Sequence, residues 1–111
     1  MNETMSQKSN TAELKLIILQ VVASIPFGQI ASYGQIARLS GCPSHARFVG
    51  AVLKKLPSKT SIPWHRVINS KGGISFPVDN ESFIEQKSRL LQEGVEVKNG
   101  KISLSSFGWS A

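Results

Sequence analysis

Leu14, Ile17, Ile18, Val21 and Val22 recur at the three- and four-residue spacing of a single helix face. They predict a helix from about Ala12 to Ser24, with Thr11 as its cap. Pro26-Phe27-Gly28 ends it in a turn, and Gln29 to Ala31 is expected to form a short extended piece. Ser32, followed three residues later by Gln35, carries the capping-box pattern and opens a helix from Tyr33 to Leu39, with Ile36 and Ala37 inward. In the turn Ser40-Gly41-Cys42-Pro43, Gly41 suits a left-handed position and Pro43 the approach to a new helix. That helix is predicted from Ser44 to about Lys55, burying Phe48, Val49 and Val52.

The second half has a different rhythm. Pro57 to Ile62 reads as a loop, Arg66 to Ile68 as a short strand, and Lys71-Gly72-Gly73 as a turn of the kind that forms a wing. Asp79 or Asn80 caps a helix to about Gln92, with Phe83, Ile84, Leu90 and Leu91 inward, and Gly94 ends it. Val95 to Leu104 is expected to be a hairpin around an Asn99-Gly100 turn. Phe107 and Trp109 in the last segment are expected to dock on the body. The fold class that results is mostly α with small β elements, a winged helix-turn-helix. The polar start, residues 1–11, is expected to be a flexible tail, and residues 12–111 the folded domain.

Composition narrows the partners. Thirteen Lys and Arg face seven Asp and Glu, for a net charge of +6, which favours a polyanion such as nucleic acid. A hydrophobic fraction of 41%, with five Phe and two Trp, argues against disorder in the 111-residue chain. The single cysteine, Cys42, rules out an internal disulfide and fits a reducing compartment. No apolar run approaches the ~18 residues that span a bilayer. A cytoplasmic, monomeric protein is expected, associated with the nucleoid when bound to DNA. The first residues of the reading helix, Ser44, His45, Ala46 and Arg47, are small or basic, which lets a helix lie close to DNA.

The most informative run is Ile62-Pro63-Trp64-His65-Arg66-Val67-Ile68. It resembles the Pro-Cys-His-Arg-Val signature of the O6-alkylguanine-DNA alkyltransferases, with Trp64 where those proteins carry the alkyl-accepting cysteine. Three further stretches match in order: Ser32-Tyr33-Gly34-Gln35-Ile36-Ala37, Ala46-Arg47-Phe48-Val49-Gly50-Ala51-Val52, and Leu90-Leu91-Gln92-Glu93-Gly94. The resemblance runs from about Leu14 to Leu104 and is to the C-terminal domain of the transferases. The Trp in place of Cys marks the alkyltransferase-like proteins.

A transferase displaces the alkyl group with a thiolate, which its surroundings can activate. An indole cannot do this, but it offers a flat apolar face, and base–aromatic stacking is worth about 1–3 kcal/mol. The resemblance therefore implies a non-enzymatic sensor of O6-alkylguanine in double-stranded DNA. It would flip the lesion into a pocket and mark it for nucleotide excision repair proteins. Arg47 is implied as the finger that fills the vacated space, and Tyr33 as the residue that presses on the phosphate 3′ to the target. Gln35, Ser44, Ala46, Gly50 and the wing residue Lys71 complete the implied DNA contacts. The implied lesion pocket is Pro63, Trp64, Val67, Ser75, Phe76 and Pro77. His65 and Glu93 stand where the transferases keep the relay that activates the cysteine, and are expected here to be a structural hydrogen-bonded pair.

Two departures bear on the pocket. Leu56 stands where many transferases carry a hinge Asn, and Ser75-Phe76-Pro77-Val78 replaces a stretch that often holds Gly and Tyr. Cys42 and His45 are too few for a zinc site, so no metal or other cofactor is expected. Two other readings stand beside the sensor. A winged-helix transcription regulator needs only the helix-turn-helix and the charge. A lesion-processing hydrolase or lyase would remove the alkyl group or cut the strand.

Overall fold

The computed structural model describes residues 3–111, and for residues 3–10 only the backbone. The elements in chain order are α1 (Glu3–Ala23), β1 (Ala31–Ser32), α2 (Tyr33–Leu39), α3 (Ala46–Lys54), a 3-10 turn (Trp64–Arg66), β2 (Val67–Ile68), α4 (Glu81–Gln92) and α5 (Leu104–Phe107). The first helix begins earlier than the sequence reading placed it, so Thr11 lies inside it rather than at its cap. Of the tail expected over residues 1–11, residues 3–11 lie in α1 and residues 1–2 fall outside the described residues.

α1 packs its Ile18 and Val22 on the helix-turn-helix, where they meet Ile36, Ala37, Val49 and Val52 in one core. Ile17, predicted inward, is exposed, because α2 and α3 cover only a narrow stripe of α1. Ser32 caps α2 as expected, its hydroxyl accepting the Gln35 N–H at 3.1 Å. The other half of the capping box does not form: the Gln35 amide reaches 2.7 Å to the Trp109 carbonyl and ties down the carboxy-terminal segment. α3 starts at Ala46, two residues later than predicted, and Ser44 hydrogen-bonds the His45 ring at 3.1 Å instead of capping the helix.

A second core holds Ile30, Ile68, Ile74, Phe83, Leu90, Val95 and Ile102. The wall between the two cores is a two-rung parallel ladder, Ala31↔Val67 and Ser32↔Ile68. Successive strand residues face opposite ways. Thus Ala31 and Val67 enter the first core, while the neighbouring Ile30 and Ile68 enter the second. α4 is capped by Asn80, whose Oδ1 accepts the Ser82 N–H at 2.7 Å. Its buried stripe is Phe83, Gln86 and Leu90, while Ile84 and Leu91, expected inward, are exposed.

The wing turn is held by Asn69 Oδ1, which accepts N–H bonds from Lys71 and Gly73 at 2.9 Å each. Gly72 has φ +83°, and a Cβ there would lie 2.5 Å from the Ile102 carbonyl, so only glycine fits. The expected hairpin is reduced to one bridge, Lys98 to Lys101, around Asn99 and Gly100, both at positive φ. The strand that would continue it is drawn to the wing, where Lys101 bridges Gly73. Phe107 and Trp109 dock as expected, through backbone bonds on either side of Ile30 at 2.9 and 2.7 Å. Among the described residues no helix is long and apolar enough to cross a membrane.

Candidate nucleic-acid interface

The ladder sets the site. By pairing Ser32 with Ile68 it places Tyr33, the first residue of α2, beside the end of the Trp64–Val67 run. α3 crosses α2 there, and Gly50 faces the Tyr33 ring: a Cβ at this position would meet it at an ordinary contact distance of 3.8 Å. Tyr33, Gly50, Leu53 and Lys54 form one side of a cavity of about 330 Å³. Trp64 and Val67 close it from the 3-10 turn and β2. Ser75, Phe76 and Pro77 come from the segment after the wing, and Asn80 and Gln86 from the start of α4.

Five of the six residues expected to line a lesion pocket are therefore brought together. Pro63 is the exception and lines no described cavity; its carbonyl accepts the Arg66 N–H at 3.1 Å and so shapes the turn. A second cavity, about 350 Å³, adjoins the first and shares Leu53, Lys54, Trp64 and Phe76 with it. Its other walls are Leu56 to Ser58 and the α4 residues Glu81, Ser82, Glu85 and Arg89. Trp64 and Phe76, edge to face at 6.3 Å, are thus a common wall. The Arg89 guanidinium lies 5.6 Å over the Trp64 ring and is steadied by Glu85 at 2.8 Å.

Arg47 is exposed, and its side chain makes no hydrogen bond or ion pair among the described residues. It shares a helix face with Gly50 and Lys54, three and seven residues on, so this face leads from Arg47 into the cavity. Ala46 is half-buried at the start of α3. Gln35 is taken up by Trp109, and Lys71 is exposed on the wing turn and does not reach the cavity. One charge signal belongs to this surface. No Asp or Glu occurs between Glu13 and Asp79, while Lys15, Arg38, Arg47, Lys54, Lys55, Lys59, Arg66 and Lys71 do. The helix-turn-helix, the signature and the wing all fall in that acid-free run.

Beneath the turn lies a buried ionic knot. Glu93 Oε2 is 2.6 Å from His65 Nε2 and 2.8 Å from Arg66 Nη2, and its Oε1 accepts the Gly28 N–H at 2.8 Å. Arg66 also donates to the Ile25 carbonyl at 2.8 Å and stacks over Phe27. Burial works against the Glu93 charge, but the bonds from Arg66, His65 and Gly28 outweigh it and lower its pKa from 4.5 to about 2. Burial lowers the His65 pKa below its usual 6.5, more than the neighbouring carboxylate raises it. Neutral His65 thus donates through Nε2 to ionised Glu93. The expected structural pair is present, and Arg66 is its third member, which sequence reasoning did not single out.

Comparison with known proteins agrees with this geometry. The family model for the 6-O-methylguanine DNA methyltransferase, DNA binding domain, matches residues 13–95. The chain is 44% identical over 94 residues to the DNA base-flipping protein of Escherichia coli K12, covering 84% of this chain and 71% of that one. It is 42% identical over 97 residues to alkyltransferase-like protein 1 of Schizosaccharomyces pombe, covering 83% and 90%. The crystal structure of S. pombe Atl1 in complex with damaged DNA containing O6-carboxymethylguanine superposes with a TM-score of 0.84 at 40% identity, over 90% of this chain and 97% of that one. This chain belongs to the family of the 6-O-methylguanine DNA methyltransferase DNA-binding domain.

Proposed function

We propose that this chain is a non-enzymatic sensor that binds O6-alkylguanine in double-stranded DNA, holds the flipped base against Trp64 and leaves the alkyl group in place. The observation that carries the reading is Trp64 itself: a half-buried indole forms a wall of the cavity at the position where the family signature has its thiol. Cys42 lies in the turn after α2 and lines no described cavity, so it is no substitute nucleophile. The likeness to S. pombe Atl1, solved on damaged DNA, supports the same reading.

The residues divide the work. Arg47, unpaired at the exposed end of the α3 face, enters the duplex and offsets the few kcal/mol that unstacking costs. Tyr33 meets the backbone beside the flipped nucleotide. Trp64, Phe76 and Pro77 receive the base. The bound complex, monomeric and cytoplasmic, is then handed to nucleotide excision repair proteins.

The test is a paired titration at one fixed salt concentration, with a duplex carrying O6-methylguanine and the same duplex carrying guanine. The alkylated strand is then weighed by mass spectrometry. Tighter lesion binding with the methyl group retained is expected. Equal binding would overturn the reading in favour of a sequence-reading regulator, and loss of the methyl group would overturn it in favour of an enzyme.

A further inference from the structure

Gln86 is the polar residue in the otherwise apolar buried stripe of α4, and only 2% of it is exposed. Its Nε2 donates to the Val67 carbonyl at 2.9 Å and to the His65 carbonyl at 3.2 Å. Two carbonyl acceptors on that side settle which end of the amide is which. The two amide hydrogens are both used, and Oε1 is buried without any partner. A buried amide oxygen left bare is costly, and native proteins rarely keep one without a reason. Gln86 is one of the residues lining the cavity closed by Trp64, Tyr33 and Gly50, so its bare acceptor lies, covered, in a side chain of the proposed base pocket.

An acceptor can be satisfied only by a donor. Alkylation at O6 removes the proton from guanine N1, which leaves the exocyclic N2 amino group as the strong donor of the base. We propose that Gln86 Oε1 accepts a hydrogen bond from this N2 amino group, so that Gln86 selects guanine-derived lesions over other 6-alkoxypurines. The proposal rests on the sensor reading above and deepens it. Oε1 is covered in the free protein, and reaching it takes side-chain shifts in the wall of the kind that binding commonly brings. Its cover also keeps solvent from competing for the acceptor once the base is in place. The two bonds made by Nε2 fix the amide against rotation, so the site cannot turn a donor toward the base instead. Discrimination against bases that present an acceptor at this position follows from the same restraint.

Three duplexes, alike except for one base, test it: O6-methylguanine, O6-methylhypoxanthine (the same base without the amino group) and guanine. The unaltered protein is expected to bind the first about five- to tenfold more tightly than the second, the value of one net hydrogen bond. Gln86→Met, which cannot accept the bond, is expected to bring that ratio close to one. Gln86→Lys, which can still donate to the His65 and Val67 carbonyls, is expected to do the same. Taking the ratio for each protein on the same duplexes cancels the difference in base-pair strength. A ratio that is the same in wild type and in both variants would overturn the proposal and leave Gln86 a structural tie. No preference of the wild type for O6-methylguanine over guanine would instead overturn the sensor reading. A preference over guanine without one over O6-methylhypoxanthine would overturn only the role of Gln86.

Discussion

The Arg89 guanidinium lies over the indole of Trp64, 5.6 Å from the ring centroid, on the wall between the two cavities. Glu85 holds Arg89 from one turn earlier on α4. A cation over an aromatic face is worth about 0.5–1 kcal/mol where solvent has access. Arg89→Met removes it while keeping much of the side-chain bulk. Lesion affinity is expected to fall about two- to fivefold, with little change in the unfolding midpoint. Unchanged affinity in the titration would mean that Trp64 needs no such support.

Arg47 offers a cleaner separation of binding from folding. It is exposed and unpaired, so Arg47→Ala should alter stability by less than ~0.5 kcal/mol. Lesion binding is expected to weaken by at least about tenfold, since unstacking would no longer be offset. Arg47→Lys should recover little of it, because an ammonium cannot stack or present planar donors. Melting curves beside titrations check both halves.

Gly50→Ala should move stability and binding in opposite directions. The new methyl group meets Tyr33 at an ordinary contact distance of 3.8 Å, and alanine favours the helix by up to about 1 kcal/mol. The same methyl group intrudes on the cavity. A higher melting temperature together with weaker lesion binding is the expected pair of results; an unaltered affinity would place the base elsewhere.

The His65–Arg66–Glu93 knot predicts how stability depends on pH. Glu93 ionises more readily folded than unfolded, so its contribution is full above about pH 4.5 and is lost as pH falls toward 2. His65 has a folded pKa below 6.5, so the unfolded chain takes up a proton first and stability already declines as pH drops through 6.5. Urea unfolding across this range should show both steps. His65→Gln should erase the upper step and keep the lower one. Glu93→Gln should cost about 3–5 kcal/mol at neutral pH, because it leaves Arg66 without a counter-charge.

Much of this architecture is legible from local chemistry. The Ser32 and Asn80 caps, Gly41 and Gly94 at helix ends, and the Asn99-Gly100 turn each follow from what one or two residues can do. Where reading by hydrophobicity fails, a distant partner decides. Along α4 the period alone would bury Phe83, Gln86 and Leu90. Polarity hides Gln86, and two exposed apolar residues, Ile84 and Leu91, mislead. Arg66 is half-buried because partners far along the chain meet it, Glu93 27 residues away and the Ile25 carbonyl 41. Five residues of the cavity wall are legible because they cluster in two short runs, Trp64 to Val67 and Ser75 to Pro77. Its far walls, Leu53, Lys54, Asn80 and Gln86, come from helices whose packing no local pattern states.

The two-rung ladder between Ala31–Ser32 and Val67–Ile68 makes chain spacing a component of the site. One strand leads straight into Tyr33, and the other issues straight from the Trp64–Arg66 turn. With so few rungs there is no slack to absorb a slip. One residue more or less between Trp64 and Val67 would either move the indole by about 2 Å, the rise of one residue in a 3-10 turn, or slip the ladder and turn each rung to the wrong core. The loop from Pro57 to Ile62 carries no such restraint and can change length. The residue at position 64 is therefore free to vary, while the count of residues that follow it is held.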